Sequence, residues 1–425
     1  MALSHHTFCL PNGLRLVVTP MPGRYSVTVA VFLGVGSRYE DDKRAGSSHL
    51  LEHMLFKGTA RRPTAESISE TIESVGGSMN ASTDKEVTLF WAKVSCDEIA
   101  LAIDLLADML QHSLIDATEV RKEKRVVGEE LGMIMDSPQD QIHTLIEETI
   151  WPGHALGRDV AGTRESVARL TRAGLLRFRD AHYTPRSTVV SVAGDVEPGR
   201  VRELVEEGFG SWSGQPAPPY LPGAYPADRP RVALVRRDTE QANLCLAVRG
   251  LSHHDPRRYA LDLLNSILGG SMSSRLFVEV RERRGLVYDI HSYTDRLDDT
   301  GVLVVYAGMD PGAGPVVARE ILDALRRLRD EPVSDHDLAR AKSQYRGRLL
   351  LGLEDTSSVA SWCGAQQLLL KQISTVDSIL EEVNAVTAGD LQALAGELFR
   401  DEYLRLAVIG PYDDDRLFSE LLHLA

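Results

Sequence analysis

Two periodicities divide the chain. Strand-forming runs, several of them alternating, occupy Leu14 to Thr19, Ser26 to Leu33, Val87 to Val94 and Ser187 to Ala193, which predicts strands. Pro20 to Gly23 supplies turn chemistry between the first two, which predicts a hairpin. Apolar residues recur at helical spacing in Ile68, Ile72 and Val75, in Ile99, Ile103, Leu106 and Leu110, and in Val120, Val127, Leu131 and Ile134. Each set gives a helix one face to bury. Thr64 is a candidate cap for the first of these helices, and Gly76-Gly77 its stop. Ile142 to Ile150, Leu170 to Phe178 and Val201 to Phe209 are further helix candidates.

Gln215 to Pro230 then carries Pro216, Pro218, Pro219, Pro222, Pro226 and Pro230. Such a stretch is extended and cannot lie inside a sheet or helix. After it the same order of elements restarts. Val232 to Val235, Asn243 to Val248, Val302 to Ala307 and Leu404 to Ile409 predict strands; Arg257 to Leu268, Val316 to Leu328 and Val333 to Leu353 predict helices. Gly269-Gly270 ends a helix much as Gly76-Gly77 does. The pattern is a degenerate duplication. It predicts a first domain over 1–215, a proline-rich linker over 216–230 and a second, homologous domain over 231–425.

One stretch breaks the apolar pattern with chemistry. In Ala45-Gly-Ser-Ser-His-Leu-Leu-Glu-His-Met-Leu-Phe-Lys-Gly58, three polar groups, His49, Glu52 and His53, sit among leucines and a phenylalanine. The segment predicts a helix, with a serine of Gly46-Ser47-Ser48 as candidate cap. A step of four residues stacks His49 over His53 on one face, and Glu52 borders it. Two neutral imidazoles are two nitrogen ligands for a transition metal, and a carboxylate beside them can hold a water. The order His-x-x-Glu-His is the inverse of the common zinc-protease motif. A catalytic zinc usually takes three protein ligands, so a third must come from elsewhere in the chain. A later helical stretch offers Glu129-Glu130. The second half has no such motif in the equivalent place.

Composition narrows the function classes. The 425 residues are 43% hydrophobic and 25% charged, which is globular and more than one ordinary core holds. The net charge of −14, from 61 acids against 47 bases, argues against nucleic acid as a partner. Cys9, Cys96, Cys245 and Cys363 are scattered without metal-knuckle or disulfide spacing. The first residues lack a basic segment followed by an apolar core, and no apolar run reaches membrane-spanning length. The expectation is a cytoplasmic chain with no membrane partner.

The motifs, taken in order, resemble the M16 metallopeptidases, specifically the group of single-domain-pair subunits that includes the mitochondrial processing peptidase beta subunit and its bacterial relatives. The resemblance is carried by Pro11-Asn-Gly-Leu-Arg15, Gly34-Val-Gly-Ser-Arg38, Gly46 to Thr59, Gly76-Gly77 with Asn80, and Val126 to Met133. It continues through Tyr183-Thr-Pro185, Gly194, Leu268 to Phe277 and Arg281-Glu-Arg-Arg-Gly-Leu-Val-Tyr288. It implies an α+β fold of two homologous domains, each a mostly antiparallel sheet with helices packed on one side, facing each other as a clamshell. It also implies one Zn2+ per subunit on His49, His53 and Glu129, with Glu52 as the general base. Glu123 is a candidate supporting carboxylate. Arg281 and Tyr288, seven apart, match the family's substrate-reaching pair. The expected substrate is a peptide or unfolded polypeptide. Asn80, Ala81 and Ser82, between a glycine pair and a strand, are a plausible exposed edge to which such a peptide adds as a strand. Both residue sets lie in one chain, so a homodimer is expected. The competing classes are a non-catalytic subunit with a structural or peptide-binding role, and a carrier of structural zinc.

Overall fold

The computed structural model describes residues 4–228 and 231–424. Pro230, at the end of the expected linker, and the outermost residues of both expected domains lie outside them. The chain forms two compact units. Among the described residues, the first contains six strands: β1 (His6–Cys9), β2 (Arg15–Pro20), β3 (Ser26–Leu33), β4 (Ser78–Thr83), β5 (Thr88–Ser95) and β6 (Thr188–Gly194). They lie in one sheet in the order β1-β2-β6-β3-β5-β4. Only the β2–β6 pair is parallel; the others are antiparallel. The expected β2–β3 hairpin does not form, because β6 lies between the two strands and pairs with both. The turn after β2 is instead tied to the end of β6, where the Met21 N–H donates to the Gly194 carbonyl at 2.7 Å. All seven residues of β6 are buried, as a central strand with both faces covered requires.

Alternation assigns the two faces. Leu14, Leu16 and Val18, with Val27, Val29, Val31 and Leu33, point to a large core that also holds Leu105, Leu106, Met109, Val205 and Phe209 from the helices Ile99–His112 and Pro198–Phe209. Val17, Ala30, Phe32, Val189 and Ala193 point the other way, onto Val359, Ala360, Cys363 and Leu368 of the helix Thr356–Leu369. That helix comes from the second half of the sequence.

The second unit repeats the plan. β7 (Arg231–Arg236), β8 (Ala242–Arg249), β9 (Val287–Arg296), β10 (Gly301–Met309) and β11 (Arg405–Gly410) lie in the order β7-β11-β8-β10-β9. Again one pair, β7–β11, is parallel and the rest antiparallel. Removing β1 from the first sheet leaves the same order and the same parallel pair, so the duplication is one of topology. The helices Arg258–Leu268 and Gly314–Asp330 bury continuous apolar faces in this unit. One side of its sheet, including Cys245, Ala247, Val304, Tyr306 and Ile409, packs with Ile142, Ile146 and Ile150 of the helix Pro138–Ile150. That helix comes from the first half of the sequence.

Each unit therefore takes one helix from the opposite half. The first comprises residues 1–131, 159–221 and 349–376, and the second 132–158, 222–348 and 377–425. The change of unit at 221/222 falls within the proline-rich stretch, while the two borrowed helices depart from the linear division into 1–215 and 231–425. They also put a helix on the sheet face that the one-sided packing expected from the resemblance leaves open. No helix among the described residues is long and apolar enough to cross a membrane.

Candidate metal and catalytic site

The expected motif helix runs over Ser47–Leu55 and buries Leu50, Leu51, Met54 and Leu55. His49, Glu52 and His53 fall on its half-buried side. The cap is not a serine. The N-cap is Gly46, in a left-handed conformation with φ +89°. The buried carboxylate of Glu40 accepts the Gly46 N–H at 2.7 Å and the Ser48 N–H at 2.6 Å. An anion at this end satisfies free N–H groups and complements the helix dipole. A side chain at Gly46 would meet the Ala161 carbonyl at 2.4 Å, so the close approach and the positive φ both require glycine.

The third acid comes from the helix Ala117–Asp136, which buries Val120, Glu123, Val127 and Leu131. Glu130 lies seven residues after Glu123 and shares its side of the helix. Its Oε2 is 4.0 Å from His49 Nε2 and 3.7 Å from His53 Nε2. Glu129 does not join this group. It is exposed and borders an open cleft with Arg121, Lys124, Arg125 and Arg164. The expected assignment of Glu129 is corrected here to its neighbour, because successive residues on a helix point about 100° apart.

The donor atoms of His49, His53 and Glu130 lie within 4.8 Å of one another. A tetrahedral zinc with ligand bonds near 2.0–2.1 Å sets its donors about 3.3 Å apart. Side-chain movements on the order of an ångström would close the group on such an ion. Glu130 Oε2 is buried and has no hydrogen-bond partner, which is costly for a carboxylate with no cation to meet. The donor set thus fits zinc.

The imidazoles are differently supported. His53 Nδ1 is 3.1 Å from Glu123 Oε2, and the other Glu123 oxygen pairs with Lys57 Nζ at 2.9 Å. Glu123 therefore orients the ring from behind and leaves Nε2 toward Glu130. His49 has no such support, since its Nδ1 is buried and without a hydrogen bond. The rings meet edge to face at 4.6 Å. Burial, with the neighbouring His53 adding to it, lowers the His49 pKa to about 4, so the ring is neutral and free to ligate.

Glu52 is the remaining acid of the motif. Burial raises its pKa, opposed by a hydrogen bond from Thr83 Oγ1 to Glu52 Oε2 at 2.5 Å and by His53. Asn80, Ala81 and Ser82 lie on β4, one of the two edge strands of the first sheet. The Ala81 N–H is held by the Asn80 Oδ1 at 2.8 Å. Arg281 and Tyr288 belong to the second unit. Arg281 sits in a π-helical stretch, Phe277–Arg283, with its guanidinium over the Phe277 ring at 4.8 Å. Tyr288, near the start of β9, is 75% exposed.

Sequence reasoning missed Glu130, Glu40, Lys57 and Thr83. The spacing of Glu130 from Glu123 and Val127 was a usable signal for the first. Nothing in the local sequence distinguishes the other three.

Comparison with known proteins gives the family. A family model described as Insulinase (Peptidase family M16) matches residues 16–164, and one described as Peptidase M16 inactive domain matches residues 169–345. The uncharacterized zinc protease YmxG of Bacillus subtilis is 39% identical over 400 residues, which span 94% of this chain and 97% of that protein. An uncharacterized zinc protease of Streptomyces coelicolor is 40% identical over 95% of this chain and 89% of its own. Among solved structures, a protease from Helicobacter pylori superposes with a TM-score of 0.91 at 24% identity, covering 97% of this chain and all of that one. A chain of complex III2 from Candida albicans matches with a TM-score of 0.85 at 21% identity over 98% of this chain and 99% of its own. These last two likenesses speak for the fold alone. On its relatives and on both family models, the chain belongs to peptidase family M16.

Proposed function

We propose that the protein is a zinc-dependent endopeptidase acting on peptides or unfolded protein segments. One observation carries the reading: a carboxylate oxygen of Glu130, buried and without a hydrogen bond, is aimed at two imidazole nitrogens, with a half-buried carboxylate, Glu52, beside them. Relatives over nearly the whole chain that are named zinc proteases support it.

In this reading His49 Nε2, His53 Nε2 and Glu130 Oε2 hold the ion. A zinc bound there supplies Lewis acidity toward the scissile carbonyl and toward water. Glu52 is the general base: it takes the proton of the attacking water and passes it to the leaving amine. Its oxygen not engaged by Thr83 is available for that exchange. The free edge of β4 aligns the peptide backbone, with Asn80, Ala81 and Ser82 along the added strand. A peptide pairing there displaces the Asn80 side chain from the Ala81 N–H. Arg281 and Tyr288 contribute substrate contacts, on the strength of the family's motif. A homodimer completes the reading, since both residue sets occur in one chain, and the cytoplasm is its proposed compartment.

The second reading, a peptide-binding subunit without catalysis, draws on the description of residues 169–345 as matching an inactive domain. Metal analysis of the purified protein, paired with a peptide-cleavage assay with and without chelator, separates the two. Zinc near one per chain with chelator-sensitive cleavage is expected. Bound zinc without cleavage of any unfolded substrate would leave the binding role.

A further inference from the structure

The Gly34 to Arg38 segment has no part in the chemistry above, yet it is built tightly against the turn that follows β4. The Ser37 N–H donates to the Asp84 carbonyl at 3.1 Å, and the Arg38 N–H to the Lys85 carbonyl at 2.9 Å. A side chain at Gly36 would come within 2.0 Å of the Asp84 carbonyl. Arg38 is fully buried and ion-paired with Glu86, itself buried in the same turn. Its guanidinium lies over the Tyr220 ring at 3.8 Å. On the other side of the turn, the Thr88 hydroxyl donates to the Val35 carbonyl at 2.9 Å. These backbone hydrogen bonds, the buried Arg38–Glu86 ion pair and the close approach at Gly36 converge on one surface turn and hold it in place.

The residue entering that turn is Thr83, the last of β4. Its hydroxyl donates to Glu52 Oε2. We propose that Thr83 is a positioning residue for the base: the Gly36–Arg38 clamp fixes the turn, the turn fixes Thr83, and the Thr83 hydroxyl pins one oxygen of Glu52 so that the other faces the water to be deprotonated. A carboxylate on a two-methylene stem has several rotamers, and a hydrogen bond to a strand end restricts that freedom before substrate arrives. Thr83 also ends the strand to which the peptide adds. The same element therefore sets the height of the substrate backbone and the place of the base.

The inference rests on the protease reading, and its test separates the two. Thr83→Val keeps a β-branched residue of nearly the same shape on a strand and removes only the hydroxyl; Thr83→Ser returns the hydroxyl. In the zinc-loaded full chain, Thr83→Val is expected to lower kcat about 10- to 100-fold, the range typical of lost supporting hydrogen bonds. KM and zinc affinity stay near wild type, and Thr83→Ser recovers most of the rate. A wild-type kcat in Thr83→Val overturns the proposal. Equal loss in both variants, or a parallel loss of zinc, does so too, because either marks a merely structural role. If the zinc-loaded wild type cleaves no peptide, the protease reading fails. Crystal structures of the two variants then decide the placement alone: a Glu52 carboxylate displaced in Thr83→Val and restored in Thr83→Ser supports it, and one unmoved in both overturns it.

Discussion

Glu130 Oε2 stands 3.7 Å from His53 Nε2, while Glu129, one residue earlier on the same helix, is exposed among arginines. The two acids are chemically identical, so they form a paired test of the ligand set. Glu130→Gln is expected to weaken zinc binding by orders of magnitude, because two imidazoles alone make a poor site. Glu129→Gln is expected to leave it unchanged. Competition against a chromophoric chelator measures both; equal affinities in the two variants would refute the assignment.

Glu123 and Lys57 form the support behind His53. Glu123→Gln keeps the shape but not the charge, and is expected to lower zinc affinity about 10- to 100-fold. Lys57→Met removes the ammonium that holds the second Glu123 oxygen, and a smaller loss in the same direction is expected. The same chelator titration reads both.

Glu52 is expected to behave unlike the ligands. Glu52→Gln retains zinc and loses turnover by about 10²- to 10⁴-fold, the usual contribution of a positioned base. His49→Ala loses both metal and turnover. Near wild-type hydrolysis by Glu52→Gln would remove the residue from the base role.

Tyr288 is three-quarters exposed, so its hydroxyl has no folding task. Tyr288→Phe is expected to lower turnover while zinc content stays the same and stability shifts by less than about 0.5 kcal/mol. Steady-state kinetics with parallel thermal melts check this, and unchanged kinetics would exclude the residue from the site.

Gly46 and Glu40 make a stability prediction. An alanine at Gly46 bears the left-handed backbone cost of about 1–2 kcal/mol and must also push back the Ala161 carbonyl. Glu40→Gln keeps one acceptor oxygen for the helix start and loses the charge. Melting temperatures are expected to fall in both, further in Gly46→Ala. A Gly46→Ala variant as stable as wild type would contradict the close packing at this helix start.

Most elements were legible because their periodicity is strong. The motif helix, the helices beginning at Ile99 and Ala117, and the two central strands of the first sheet lie where their apolar spacing puts them. Thr64 caps its helix through Ser67 as the sequence suggests. Pairing was less legible: β2 and β3 are adjacent in sequence with a good turn between them, but β6, far along the chain, takes the place beside each. β9 and the helix Thr356–Leu369 gave weak signals, since Tyr288 to Arg296 is largely polar and Ser357 to Gln367 is rich in small residues. At the site, His49, His53 and Glu52 announce themselves by spacing within one turn of helix. The third acid did not, because choosing between adjacent glutamates requires knowing which side of the helix meets the motif.

The borrowed helices have a consequence for the chain as a heritable object. The half that bears the histidines leaves Phe32, Val17 and Val189 bare unless the other half delivers Thr356–Leu369 to cover them. The half without the motif likewise depends on Pro138–Ile150 for the face around Cys245 and Ile409. Each half thus lacks a cover for one face of its own sheet without the other's helix.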